Sequence, residues 1–110
     1  MKTLTVSFSK EGLNLSDDIK DLSPQGLFLN VFKNIIFFFS LPTKGLKEDD
    51  RRLYYKIYDV LEKAVEDSSE TVDLEDNWLG FMRKCKREAS ITPDKLLRKV
   101  ENLIDEAKDK

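Results

Sequence analysis

The sequence predicts a mainly α-helical protein, a compact bundle of about four helices with a small β-strand or hairpin at its N-terminus. Apolar side chains recur at helical spacing in residues 24–41, 47–67, 75–89 and 93–107. Residues 3–8 instead alternate apolar and polar side chains, which is typical of a half-buried strand. A chain of 110 residues has the length of one domain, so we take residues 1–110 as a single domain.

The most apolar stretch is residues 27–41, where eleven of fifteen side chains are Leu, Ile, Val or Phe. Ser23 followed by Pro24 predicts that a helix begins just before this stretch. The serine hydroxyl accepts a hydrogen bond from a free backbone N–H, and proline at the first helical position loses no bond. Pro42 then predicts the end of the helix. We therefore expect a helix at the centre of the fold.

Three interpretations of this stretch are open: a core helix, a membrane span, or a helix that is partly core and partly a binding face for another chain. A span needs about 20 apolar residues, and Lys33 and Asn34 interrupt this run, so we expect no membrane contact. The β-prone residues 35–39 leave open a buried strand in the second half. Phe37 falls on the polar side of the helical projection, which is unusual for a strictly monomeric protein.

The N-terminal strand has two candidate partners. Leu13 and Leu15 alternate with polar residues after a turn, so a local hairpin is open. Residues 71–74, TVDL, alternate as well. Pairing with them would tie the N-terminus to the second half of the chain.

Polar residues and prolines predict where the last two helices begin. Asp73 or Asp76 is the expected N-cap of the third helix, because a carboxylate accepts hydrogen bonds from free backbone N–H groups. Thr92 and Pro93 repeat the cap-then-proline signal for the fourth helix. Residues 108–110 follow the last apolar position and are expected to fray.

Composition excludes several kinds of site. The chain has no histidine, which rules out Ser-His and Cys-His catalysis and histidine metal ligation. Its one cysteine, Cys85, forms no intrachain disulfide and suits a core or boundary position. A lone cysteine fits a reducing compartment, and residues 1–8 lack the apolar segment of a signal peptide, so we expect a cytoplasmic protein.

Six acids and no base occupy residues 66–76. An EF-hand loop needs oxygen ligands at alternate positions and a glycine at the sixth, and this segment contains no glycine. We therefore expect no metal and no cofactor. An enzyme with a carboxylate active site in this segment is the least favoured of three functional hypotheses.

Aromatic side chains lead to the first functional hypothesis. Tyr54, Tyr55 and Tyr58 lie beside the apolar stripe of the second helix, and Phe37 lies on the polar side of the first. Aromatic anchors within a polar rim are typical of protein–protein contacts. They predict a non-enzymatic interaction module that binds a second copy of itself, as in a homodimer, or another protein.

The alternative hypothesis is a small nucleic-acid-binding regulator. Basic residues of the third and fourth helices would form one patch, made of Arg83, Lys84, Lys86, Arg87, Lys95, Arg98 and Lys99. Bases near a helix C-terminus also complement the helix dipole, and a net charge of −2 is not that of a basic domain. Binding through such a patch would weaken steeply with salt.

The order of the central segments is similar to that of a family. An apolar helix, a Pro and Gly break, a helix ending in LEKA, a strand-like piece and a short helix follow one another. The segments are IKDL (19–22), LFLNVF (27–32), LPTKGL (41–46), RRLYYKIYDVLEKA (51–64) and TVDLEDNWLGFMRKC (71–85). This order resembles small, poorly characterised proteins of tailed bacteriophages and prophages, commonly encoded among head and tail morphogenesis genes.

The resemblance covers roughly residues 19–85 and brings no catalytic residues. Residues 21–24, DLSP, depart from the short DLDGKP-like turn that is common in the family. The resemblance implies a virion-assembly or host-interaction role, in which the partner is another phage protein and the location is the host cytoplasm.

Overall fold

The computed structural model describes residues 1–109, and this part of the chain contains four α-helices and three short strands. The helices are α1 (Pro24–Ser40), α2 (Glu48–Asp67), α3 (Asp76–Glu88) and α4 (Lys95–Glu106), and the strands are β1 (Lys2–Thr5), β2 (Thr71–Leu74) and β3 (Lys108–Asp109). The predicted helical bundle with a small N-terminal β element is confirmed, and the predicted helix ends are right to within two residues.

The central stretch is helical throughout, so the strand alternative for residues 35–39 is wrong. Ser23 starts the helix as predicted, because its hydroxyl accepts a hydrogen bond from the Gly26 N–H at 3.1 Å. One side of α1 is buried and contributes Leu27, Phe28, Val31, Phe32, Ile35 and Ile36 to the core. Helical spacing prevails over local β propensity because it gathers these side chains onto one buried face.

By length and composition alone, residues Pro24–Thr43 would suffice to cross a membrane. In the folded chain, however, α1 packs against each of the other three helices. The apolar face of α1 is therefore part of the core that the four helices share.

Strand β1 lies in the middle of a three-stranded sheet with the order β2-β1-β3. It pairs antiparallel with β2, with Leu4 opposite Val72. The non-local pairing is therefore right, the hairpin with residues 13–15 is wrong, and β1 is shorter than predicted. Leu4, Val72 and Leu74 all reach the core, whereas Asn14 has a φ of 51°, which interrupts an extended run.

The prediction that the C-terminal residues fray is wrong for Lys108 and Asp109. Residues Lys108–Asp109 form β3, with Lys108 opposite Thr3 of β1, and do not fray. Lys110 lies outside the described residues. The pairing of β1 with β3 therefore brings both ends of the described chain together. The opposite edge of β1 pairs with β2.

The predicted caps of the last two helices are wrong. Glu75 is the N-cap residue of α3 and makes no side-chain capping bond. Asp73 is instead held in β2, where its carboxylate accepts a hydrogen bond from the Thr3 hydroxyl at 3.3 Å. Asp76 is already inside the first turn of α3. In α4 the cap is Asp94, which accepts from the Leu97 N–H at 2.7 Å, so this helix begins two residues later than predicted.

Candidate interaction site between the first two helices

The connection between α1 and α2 places the two helices side by side. A 3-10 turn, Leu41–Thr43, follows α1 directly. Lys44 and Gly45 then have φ angles of 58° and 137°, which reverse the chain. The second angle lies in a region that glycine enters readily. The reversal brings Leu46 to the start of α2, where it is partly buried against the core.

An open groove of about 470 Å³ runs between α1 and α2. Three segments line it: the C-terminal half of α1, the connection and the first turns of α2. The lining residues are Lys33, Asn34, Ile36, Phe37, Ser40, Leu46, Arg51, Tyr54 and Tyr55. Of the four candidate interaction residues, Phe37, Tyr54 and Tyr55 therefore meet in one place, although Phe37 comes from a different helix.

Two aromatic rings at the groove are largely open to water. Phe37 is 57% exposed and Tyr55 is 60% exposed. Soluble proteins expose single apolar residues routinely. Two exposed aromatic residues that line one groove are a more specific feature, and typical of a contact surface.

The floor of the groove is tied to the core. The Tyr54 ring stacks on the buried Phe32 ring, with centroids 5.5 Å apart and planes at 20°. Tyr55 and Tyr58 both contact Tyr54, at centroid distances of 5.5 and 5.9 Å. Tyr58 lies next to the groove on α2 and does not line it. The tyrosines thus form one packed cluster that Phe32 anchors from below.

The charges at the groove are all positive. Lys33 and Arg51 are its charged lining residues, and neither makes an ion pair with another residue between 1 and 109. The helical projection places Lys33 beside Phe37, so this residue was visible in the sequence. The positions of Arg51 and Leu46 at the groove depend on the reversal between the helices, which the sequence pattern did not specify.

The Tyr54 and Tyr58 phenols both have a raised pKa, so both hydroxyls keep their protons at physiological pH. Burial, with a smaller contribution from Tyr55, raises the pKa of Tyr54 above its ordinary value of 10.0. A hydrogen bond with the Glu62 carboxylate, and the charge of that carboxylate, raise the pKa of Tyr58.

The seven basic residues proposed for nucleic-acid binding do not all point towards the same surface. The Arg83 guanidinium donates to the backbone carbonyls of Ile104, Asp105 and Ala107 at 3.2, 3.2 and 3.3 Å, and Lys86 pairs with the Asp105 carboxylate at 3.1 Å. These two bases hold the end of α4. Lys84 points elsewhere, because its ammonium lies 5.9 Å from the ring centroid of Phe39 in α1. The exposed bases that remain are Arg87, Lys95, Arg98 and Lys99.

We expect Arg83→Met to lower the free energy of unfolding by about 1–3 kcal/mol, because it leaves carbonyls at the end of α4 without their charged donor. Arg87→Met removes the same charge from an exposed position of α3 and should change stability by less than about 0.5 kcal/mol. Urea unfolding of both variants measures the difference. Equal stabilities would show that Arg83 is not a structural residue.

The acidic segment 66–76 is divided among three elements. It contains the end of α2, strand β2 and the start of α3. Within the described part of the chain, no group of three or more Cys, Asp or Glu residues is placed to hold a metal ion.

No protein-family model, no curated protein and no solved structure matches this chain. The similarity to the phage proteins accordingly stays a prediction from the order of segments. We base the functional proposal on the groove.

Proposed function

We propose that the protein is a non-enzymatic protein–protein interaction module whose binding surface is the groove between α1 and α2. The observation that supports this proposal is the pair of exposed rings, Phe37 and Tyr55, at one groove. Removing apolar area from water contributes about 25 cal/mol per Å². Covering two such rings is therefore a strong source of association energy.

The groove also has the composition of a contact surface. Its floor, built on the stack of Tyr54 and Phe32, does not need to be ordered when a partner binds, so little conformational entropy is lost there. Lys33 and Arg51 provide a charged rim around an aromatic centre, as in many protein interfaces.

The biological setting follows from the resemblance to the phage proteins. In that setting the protein is a phage-encoded assembly factor or small structural protein that acts in the host cytoplasm. Its partner is a second copy of the chain or another phage protein.

The mass in solution tests whether the groove mediates association. Light scattering on the wild type should give a dimer or larger species, and Phe37→Lys should give a folded monomer, because a charge at an exposed ring opposes burial without disturbing the core. Leu22→Lys is the matched control. It changes an apolar residue that is 36% exposed and does not line the groove, so its mass should equal that of the wild type.

A wild-type dimer that Phe37→Lys leaves intact would contradict the role of the groove in self-association. A wild type that is monomeric, like Phe37→Lys, would exclude a second copy, and the proposal would then require another phage protein as the partner. Far-UV circular dichroism of each variant establishes that a change in mass is not a result of unfolding.

A further inference from the structure

The outer side of α2 carries an ordered stripe of four residues. Arg51, Tyr55, Tyr58 and Glu62 are separated by four, three and four positions, which is the spacing of one helix face. Tyr58 is partly exposed and the other three are exposed. The stripe therefore runs from a base through two aromatic rings to an acid, and it extends the surface formed at the groove.

This stripe is complementary to itself when reversed. At 1.5 Å per residue, Arg51 and Glu62 lie about 16 Å apart along the helix axis, with the tyrosines between them. A two-fold axis midway between Tyr55 and Tyr58 would place each Arg51 opposite Glu62 of the second copy. The same axis would place each Tyr55 opposite Tyr58 of the second copy, as an isologous interface requires.

We propose that the partner is a second copy of this chain, bound through antiparallel pairing of the two α2 helices. Arg51 and Glu62 form ion pairs at both ends of the contact, the tyrosines form its centre, and Phe37 extends it across the groove. This inference rests on the proposed function, because it assigns the partner and the orientation for the same surface.

The side chains at both ends of the stripe suit this contact. Arg51 makes no ion pair with any residue from 1 to 109, whereas its neighbour Arg52 is bound to Glu48 at 2.8 Å. Glu62 is exposed, and like Arg51 it makes no ion pair with any residue from 1 to 109. One unpaired base and one unpaired acid are thus available at the two ends.

Charge also selects the orientation. A parallel pair of α2 helices would set Arg51 against Arg51 and Glu62 against Glu62, and like charges across an interface are unfavourable. The antiparallel pair sets opposite charges together twice, because the two-fold axis repeats every contact. An acidic segment of a different protein would suit the bases at the groove, but it would leave Glu62 without a partner of opposite charge.

Charge reversal tests the pairing directly. The dissociation constant of the dimer is measured by light scattering and sedimentation equilibrium for the wild type, Arg51→Glu, Glu62→Arg and the double variant. Each single change places like charges at both ends and should raise the dissociation constant at least about tenfold. The double variant restores opposite charges and should bind within about threefold of the wild type. Lys56→Glu is the control, because it changes the charge of an exposed residue on another side of α2.

The remaining outcomes separate the two proposals. A wild type that stays monomeric over a hundredfold range of concentration overturns a second copy as the partner. In a second outcome, Phe37→Lys disrupts the dimer, but the variant with both Arg51→Glu and Glu62→Arg binds no better than the single reversals. This outcome overturns the antiparallel pairing alone. A dimer that resists Phe37→Lys and both single reversals contradicts the groove as well. Circular dichroism of every variant ensures that the comparison is made between folded chains.

Discussion

Phe32→Asp should leave the protein unfolded at room temperature. Phe32 is 1% exposed in the centre of α1, and its ring stacks on Tyr54. Removing a buried phenylalanine side chain costs about 3–5 kcal/mol, and an unpaired carboxylate in an apolar site adds several more. Domains of this size have a total stability of about 5–15 kcal/mol, so the substitution removes most or all of it. Far-UV circular dichroism and urea titration measure the loss.

Phe37→Asp is the matched control for this experiment. The change is chemically identical and lies in the same helix, but Phe37 is 57% exposed and the carboxylate remains in water. We expect the control to keep a cooperative unfolding transition. A Phe32→Asp variant with the same urea midpoint as the control would show that α1 is not the core helix.

Alkaline pH should destabilise the protein through Cys85. The Cys85 side chain is fully buried, and burial, with a contribution from Asp50, raises the pKa of its thiol from 9.0 to about 12. Above pH 9 the unfolded chain loses the thiol proton while the native state retains it. The contribution of this thiol to the free energy of unfolding is therefore fully present below pH 9. It is lost as the pH rises towards 12, by about 1.4 kcal/mol per pH unit.

The difference between the wild type and Cys85→Ala isolates this effect from the titration of tyrosines and lysines, which both proteins share. Urea unfolding from pH 8 to pH 11 should show a steeper loss of stability for the wild type. Parallel curves for the two proteins would mean that the thiol titrates normally, and hence that Cys85 is accessible to water in the native state.

The helices were predictable because their signals are local. In each helix, apolar residues three and four positions apart form one face, and the Ser23 cap acts within a single turn. Phe37 was recognised in the same way, since the helical projection already placed it opposite the buried side of α1. These features depend on short-range geometry that each segment carries by itself.

The failed predictions concern residues whose neighbours are distant in sequence. Asp73 has the chemistry of a helix cap, yet its place opposite Thr3 in the sheet removes it from that role. Lys108 follows the last helix and would fray in isolation, but the free edge of β1 pairs with it. Competition between a local and a long-range hydrogen-bond partner is decided only when the chain is folded.

The candidate site likewise combines features that are local in the sequence with features that depend on tertiary packing. By itself the sequence determined the aromatic residues, the two helices that carry them and the side of each helix on which they lie. Only the tertiary structure decided that Phe37 and Tyr55 line one groove. The reversal at Lys44 and Gly45 and the stack of Tyr54 on Phe32 set the position of α2 against α1. Helical periodicity specifies which face a residue occupies, whereas the relative placement of two helices follows from the packing of the whole core.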